Sequence, residues 1–383
     1  MVGPHTIDWE AVRIAEFPVA RRWAFFDHAA VAPLPRRSGD ALRAWTARQE
    51  EDGVVAWPDN DRRVEEIRDR VAKLIQAHRD EIAFVNSTTH GISLIAEGFP
   101  WHEGDTIVTA ADEYPSNLFP WMNLAGRGVA VRQVPTRDGR IGIDDLAAAI
   151  DESTRLLAIS HVEFATGFRN DLDALGELCR ARGIAFFVDA IQGLGPHRID
   201  VSRTPIDFLA ADGHKWLLGP EGAGILYVRR EWIDRLRTIG VGWHSVVGSY
   251  NAAVPELRLR PDARRWEGGS YNLAGIVTLG ASIELLLEWG LDAVSSRILD
   301  RAEAVRELAA SAGWTIHGSN RPEDRSAIVV LERSGVDPAA AAAALRRDHG
   351  IVAACRRGRI RISPHVYNDD SDLERLRVGL SAV

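Results

Sequence analysis

Between residues 82 and 228 this chain repeats one unit: a short apolar run, a turn of small or polar residues, then a helical segment. The apolar runs fall at 82–85, 106–110, 129–134, 156–160 and 184–188, with two more at 208–211 and 225–228. Helical segments occupy 92–97, 143–150 and 171–182, and a turn and helix occupy 114–125. The helix at 143 opens with Asp144-Asp145, as a helix N-terminus prefers. The clearest strand, 184–188, is continuously apolar, which marks a strand buried on both faces. Strands alternating with helices predict an α/β fold with a mainly parallel, doubly covered sheet. Ligands of such sheets sit beyond the C-terminal ends of the strands. Here those ends carry Thr88 and Thr89, Tyr114, His161, Asp189 and Gln192, and Lys215.

The flanking regions read differently. Residues 1–24 form a helical arm with Ile7, Val12, Ile14 and Phe17 as its apolar positions, and helical patterns follow at 37–51 and 62–76. From residue 273 long helical patterns (273–288, 293–312) precede short strands at 315–317 and 327–331. An alanine-rich helix (338–347), strands at 351–354 and 359–363, and a last helix at 372–380 complete the chain. The expected division is therefore an arm (1–24), a large domain (25–272) and a smaller α+β domain (273–383), in keeping with a length of 383 residues.

Composition narrows the function classes. Net charge is −8, and basic residues occur only in short pairs such as Arg229-Arg230, which disfavours nucleic acid as the main partner. The 2 cysteines, Cys179 and Cys355, make neither a disulfide framework nor a zinc spacing. A reducing, cytoplasmic setting is expected. The N-terminal MVGPHTIDWE has neither a basic n-region nor an apolar h-region, so no signal peptide is expected. No uninterrupted apolar run approaches the roughly 18 residues of a membrane span. No HExxH or close His/Cys cluster points to a metal.

Three stretches carry chemistry. In Asp212-Gly213-His214-Lys215-Trp216 a lysine follows a strand end and precedes a loop of small residues (Gly219, Pro220, Gly222, Gly224). Burial there would lower its pKa and free the amine to attack a carbonyl. A plain surface lysine in a turn fits the same stretch. Ser87-Thr88-Thr89-His90-Gly91 joins a strand to a helix, a place for a phosphate monoester or simply for a helix cap. Asp189 ends the strand at 184–188, where a desolvated carboxylate needs a cation to stay ionised. A protonated pyridine nitrogen is one such partner. Upstream, Asp27-His28-Ala29-Ala30-Val31-Ala32-Pro33 has small side chains that let backbone approach a ligand closely.

From Phe26-Asp27-His28-Ala29-Ala30 to Arg361-Ile362-Ser363-Pro364-His365, with Asp212-Gly213-His214-Lys215-Trp216 as the most specific piece, the chain resembles the class V aminotransferase family. That family of pyridoxal 5′-phosphate enzymes includes the cysteine desulfurases, selenocysteine lyases and isopenicillin N epimerase-like proteins. The resemblance implies fold type I of the pyridoxal-phosphate transferases, with a mainly parallel seven-stranded sheet in the large domain and a smaller α+β domain at the C-terminus. It implies a homodimer with shared sites and an enzyme acting on an α-amino acid through a Lys215 Schiff base, of aminotransferase, lyase or epimerase type. Asp189 would pair with the pyridine nitrogen and Gln192 would reach the phenolic oxygen. Thr88 and Thr89 would bind the phosphate, with His214 helping. Tyr114 would stack on the cofactor and assist catalysis. Ser270 would reach the phosphate of the partner subunit. Arg361 would clamp the substrate carboxylate with its planar fork, and His28 and Ala30 would border the substrate.

The chain also departs from the family. Desulfurases and selenocysteine lyases carry a catalytic cysteine on a mobile loop. Here the corresponding loop is short, and Cys355 at its start reads as structural. A desulfurase that uses Cys355 and a non-catalytic binding or regulatory protein are the alternatives. Phe164 stands where many relatives have asparagine. Asp212 replaces a serine near the phosphate and is expected to point elsewhere, since two anions repel. Of the histidines His90, His161, His244 and His365, His161 is the one expected near the substrate. Trp216 and Trp243 are the tryptophans expected near the site.

Overall fold

The computed structural model describes residues 7–137, 139–248, 256–319 and 321–383. The apolar runs form one seven-stranded sheet. Its spatial order is Ile82–Val85, Gly224–Val228, Phe208–Asp212, Ala185–Asp189, Thr154–Ser160, Thr106–Ala110 and Ala130–Val134. Every neighbouring pair is parallel except the two made by Gly224–Val228, which runs against both its neighbours.

Strand side chains alternate between faces, so each buried strand feeds two cores. Phe186 and Val188 enter one core with Leu209 and Ala211. Ala185 and Phe187 enter the other with Phe208 and Ala210. The first is closed by helices Trp57–Ile75, Leu172–Arg182 and Leu273–Trp289. The second is closed by helix Thr88–Gly98 through Ile92 and Ile95, and by Trp121 and Trp232.

A second sheet of four antiparallel strands runs Ala354–Arg356, Arg359–Ile362, Val329–Glu332 and Thr315–His317. Helices Leu291–Ser311, Pro338–His349 and Asp370–Ala382 pack on it, with Val305, Leu345 and Leu376 in its core.

Four features differ from expectation. Helix Leu273–Trp289 buries Ile276, Leu279, Ile283 and Leu286 in the large core, so the change of core falls at Gly290 rather than at residue 273. Gly290, at φ +81°, is where the chain turns by 89° into the next helix. At the other end, Ala24 and Phe26 belong to the smaller core. Strand Ala24–Phe25 pairs with Ile351–Val352, and Asp27 bridges Ser363. The strand expected over 351–354 is thereby split, because Ile351–Val352 and Ala354–Arg356 find different partners. The helix expected within 114–125 is broken into Pro115–Asn117, Phe119–Met122 and Asn123–Arg127. Pro115 and Pro120 each remove a backbone donor there.

The described part of the arm holds helix Trp9–Glu16, capped by the Asp8 side chain, and a 3-10 turn at Pro18–Arg21. Phe17 stacks on Tyr367 at 4.0 Å, and Arg13 pairs with Asp372 at 2.6 Å, which ties the arm to the C-terminal segment. Among the described residues no single helix is long and apolar enough to cross a membrane.

Candidate active site

Adjacent parallel strands deliver the two central groups. Asp189 closes Ala185–Asp189, and Asp212 closes its neighbour Phe208–Asp212. Lys215 follows in a tight turn held by Gly213 N–H to Ala223 O (2.9 Å) and Gly219 N–H to Gly213 O (2.8 Å). A Cβ on Gly213 would lie 2.8 Å from Ala223 O, so this turn requires glycine. Lys215 and Asp189 line one cavity of about 350 Å³, a size common for small-ligand sites.

The two groups are buried together, and burial sets their charges. Lys215 is 9% exposed, and burial lowers its pKa to about 8. The Asp189 carboxylate offsets part of that effect, while Arg361 and Arg356 add to it. Asp189 is 2% exposed, and burial raises its pKa to about 6. Its Oδ1 accepts one backbone hydrogen bond, from Ile191 N at 3.1 Å, and Lys215 provides a nearby positive charge.

Helix Thr88–Gly98 begins at the cavity, with Ser87 accepting from His90 N as its cap. Thr89 Oγ1 donates to Ser116 Oγ at 2.7 Å, so two hydroxyls sit together at the helix N-terminus. The buried Thr88 hydroxyl accepts from Asp212 N at 2.9 Å and so locks the lysine strand to this helix. Asp212 Oδ1 lies 3.1 Å from His214 Nδ1, without the alignment of a hydrogen bond. Its charge faces that ring, although Asp212 still borders the cavity.

Tyr114 forms a wall, 45% exposed, its ring centroid 5.7 Å from Lys215 Nζ. Phe164 meets that ring edge-on at 5.0 Å. Gln192 lines the cavity, yet its Nε2 donates to Ala29 O (3.0 Å) and its Oε1 accepts from Trp216 Nε1 (2.9 Å). One amide N–H is left for a ligand. Arg361, 2% exposed, donates to Asp27 Oδ1 (3.1 Å) and to Phe164 O (3.2 Å), while its buried Nε–H has no partner. Ala30 lines the same cavity.

Other expected residues lie elsewhere. His28 is fully buried away from the cavity, with Nδ1 at 2.8 Å from Ser363 O and Nε2 at 2.8 Å from Tyr367 OH. The bridge between Asp27 and Ser363 turns the chain so that Ala29–Val31, and not His28, face the site. Ser270 is exposed and borders a separate crevice with His90 and Gly222. His161 is buried against His197, and burial pushes its pKa down to about 3. Trp216 lies beneath the site as the donor to Gln192, whereas Trp243 packs near Trp57 and His244. Cys355 does not border the cavity. Among the described residues no three histidines, cysteines or carboxylates cluster as metal ligands.

Sequence reasoning missed Asp27, Ser116 and Arg356, all tied to the site. Ser116 was signalled by its place two residues after Tyr114, and Arg356 by the arginine-rich segment 356–361.

These groups fit a pyridoxal phosphate. A depressed amine, a buried carboxylate with one backbone donor and hydroxyls at a helix N-terminus match its aldehyde, ring nitrogen and phosphate, and an orphaned guanidinium N–H matches the carboxylate of an amino-acid substrate.

Comparison with known proteins agrees. A probable cysteine desulfurase of Methanothermobacter thermautotrophicus is 28% identical, with 96% of each chain covered. A cysteine desulfurase of Cronobacter sakazakii is 31% identical over 84% of this chain and 82% of the relative. The apo structure of a Thermococcus onnurineus cysteine desulfurase superposes with a TM-score of 0.89 at 26% identity, covering 99% of this chain and 98% of that one. A cystine C-S lyase solved with cysteine persulfide shares the fold, with a TM-score of 0.89 at 23% identity over 95% of this chain and 99% of its own. The family model for class-V aminotransferases matches residues 24–376, and the chain belongs to that family.

Proposed function

We propose that this chain is a pyridoxal-phosphate-dependent enzyme of lyase or transferase type, acting on an α-amino acid through Lys215. The observation that carries this reading is the buried pair of Lys215 and Asp189 at the ends of adjacent strands. When bound, the cofactor makes the bonds at the substrate's α-carbon labile by accepting their electrons.

The chain's own groups do the rest. Lys215, with an amine that loses its proton near pH 8, would hold the cofactor carbonyl and, once released by the substrate amine, would be placed to move the substrate's α-proton as general base. Asp189 keeps the ring nitrogen protonated. Thr89, with Ser116 and the first amides of helix Thr88–Gly98, receives the phosphate. Gln192 offers its remaining N–H to the phenolic oxygen, and Tyr114 covers the ring. Arg361 fixes the substrate carboxylate and so selects which bond stands perpendicular to the ring.

We also propose a homodimer, with Ser270 completing the partner's phosphate seat. Exposed apolar side chains support it: Val54, Val55, Phe119, Met122 and Leu257.

A desulfurase using Cys355 is the second reading, favoured by the names of the relatives. It requires the hairpin 354–362 to rearrange, because Cys355 pairs with Ile360 on the face opposite Arg361.

Absorbance of the purified protein during addition of single amino acids tests the main reading. A cofactor band that responds to an amino acid, and is lost in Lys215→Ala, is expected. A Lys215→Ala protein with full turnover would refute it.

A further inference from the structure

The hairpin that carries Arg361 holds a second guanidinium on the same face. Its register pairs Ala354 with Arg361, Cys355 with Ile360 and Arg356 with Arg359. Residues directly opposite share a face, and faces alternate along a strand. Ala354, Arg356, Arg359 and Arg361 therefore point one way, and Cys355 and Ile360 the other. The two-residue turn Arg357-Gly358, with φ of +46° and +73°, fixes this register. Arg356 and Arg361 are diagonal neighbours, about 7–8 Å apart at their bases.

The arginines of this hairpin differ in what neutralises them. Arg357 pairs with Asp112 at 2.6 Å, Arg359 with Glu332 at 2.7 Å and Arg361 with Asp27 at 3.1 Å. Arg356 has no carboxylate within ion-pair distance among the described residues, and its Nη1 donates only to the carbonyl of Cys355, at 2.9 Å. It is exposed, and it lines the Lys215 cavity together with Arg361. Its charge reaches into the site, where it disfavours the protonated forms of Lys215 and Arg361 and favours ionised Asp27. Glu221 also lines the cavity but makes no ion pair with Arg356.

We propose that Arg356 reads a second anionic group, so that the substrates are α-amino acids whose side chain ends in a carboxylate or comparable oxyanion. The inference rests on the reading that Arg361 holds the α-carboxylate. With one arginine for each end, the diagonal spacing favours a dianionic amino acid over a neutral one of the same length. An anion between the two guanidiniums also relieves the positive charge of Arg356, which no carboxylate among the described residues pairs with.

The test is a titration of the holoenzyme followed by its cofactor absorbance. L-Aspartate is compared with L-asparagine and L-glutamate with L-glutamine, in the wild type and in Arg356→Gln. The anionic member of each pair should bind about tenfold tighter or more. In Arg356→Gln that ratio should fall to near one, and in Arg356→Lys, which keeps the charge but not the fork, it should be partly retained. Equal affinities in the wild type, or an unchanged ratio in Arg356→Gln, overturn the inference. If L-alanine still changes the spectrum in those cases, the roles of Lys215 and Arg361 stand without it. A holoenzyme that responds to no amino acid overturns both.

Discussion

Arg68 and Glu267 form a two-pronged ion pair, at 2.6 and 3.0 Å, almost sealed from solvent. Arg68 also donates to Ile82 O at 2.8 Å, and Glu267 Oε1 accepts from Phe84 N at 2.7 Å. The pair thus ties helix Trp57–Ile75 to edge strand Ile82–Val85 and to the segment that leads to Ser270. Removing one partner strands a buried charge, which costs about 3–5 kcal/mol. Glu267→Ala should lower the stability of the protein by that order, measured by denaturant unfolding. Replacing both partners by apolar residues should restore much of the loss. A single variant as stable as the wild type would show that the pair contributes nothing.

The Lys215 amine reacts with a carbonyl only after losing its proton. Burial places that loss near pH 8, against an ordinary lysine value of 10.5. The rate at which apoprotein captures pyridoxal phosphate should therefore rise with pH, reach half its maximum near 8 and level off above. Arg361 helps to depress the amine, and Asp189 opposes the depression. Arg361→Leu should move the midpoint to higher pH and Asp189→Asn to lower pH. A midpoint near 10 in the wild type would mean that the amine is solvated.

Asp189 should trade stability for activity. Burial raises its folded pKa to about 6 from the ordinary 3.8. Between those values the folded state binds more protons than the unfolded chain, so this group's contribution favours folding below pH 4 and is lost as pH rises through 6. Apo Asp189→Asn should match the wild type in stability near pH 4 and exceed it at pH 7, by up to about 3 kcal/mol. Its turnover should drop by about 10² or more, since no anion then holds the ring proton. Unfolding curves at the two pH values and steady-state rates check both halves.

Much of this site was legible because chemistry sits at strand ends, and strand ends show as breaks in apolar runs. Asp189, Lys215, Thr89 and Tyr114 could be placed that way. The direction of a side chain in a turn could not. His28 turns inward because the backbone carbonyl of Ser363, 335 residues away, accepts a hydrogen bond from its ring Nδ1. The partner of Arg361 is Asp27, 334 residues distant. Helix Leu273–Trp289 is apolar on most of its faces, so its periodicity did not say which core it joins. Gln192 was identified as a cavity residue, but its commitments to Ala29 and Trp216 depend on three separate segments meeting.

Cys355 offers the sharpest contrast between residue type and geometry. Its relatives are named cysteine desulfurases, and a thiol in the sequence segment before Arg361 invites the same role. The register turns it away: it is paired with Ile360, whose side chain is in the smaller core, while Arg361 and Arg356 face the Lys215 cavity. The turn at Arg357-Gly358 leaves no slack for the thiol to swing across, because Arg357 is tied to Asp112 and Arg359 to Glu332. Cys355→Ser should therefore keep any turnover of L-cystine, a sulfur amino acid that ends in a second carboxylate, within about twofold, the range expected of a substitution outside the site. β-Elimination would then break the Cβ–S bond of cystine, and cysteine persulfide would leave as a small molecule. Loss of sulfur release in Cys355→Ser, with the spectral response to the amino acid intact, would establish the thiol as acceptor and require the hairpin to open.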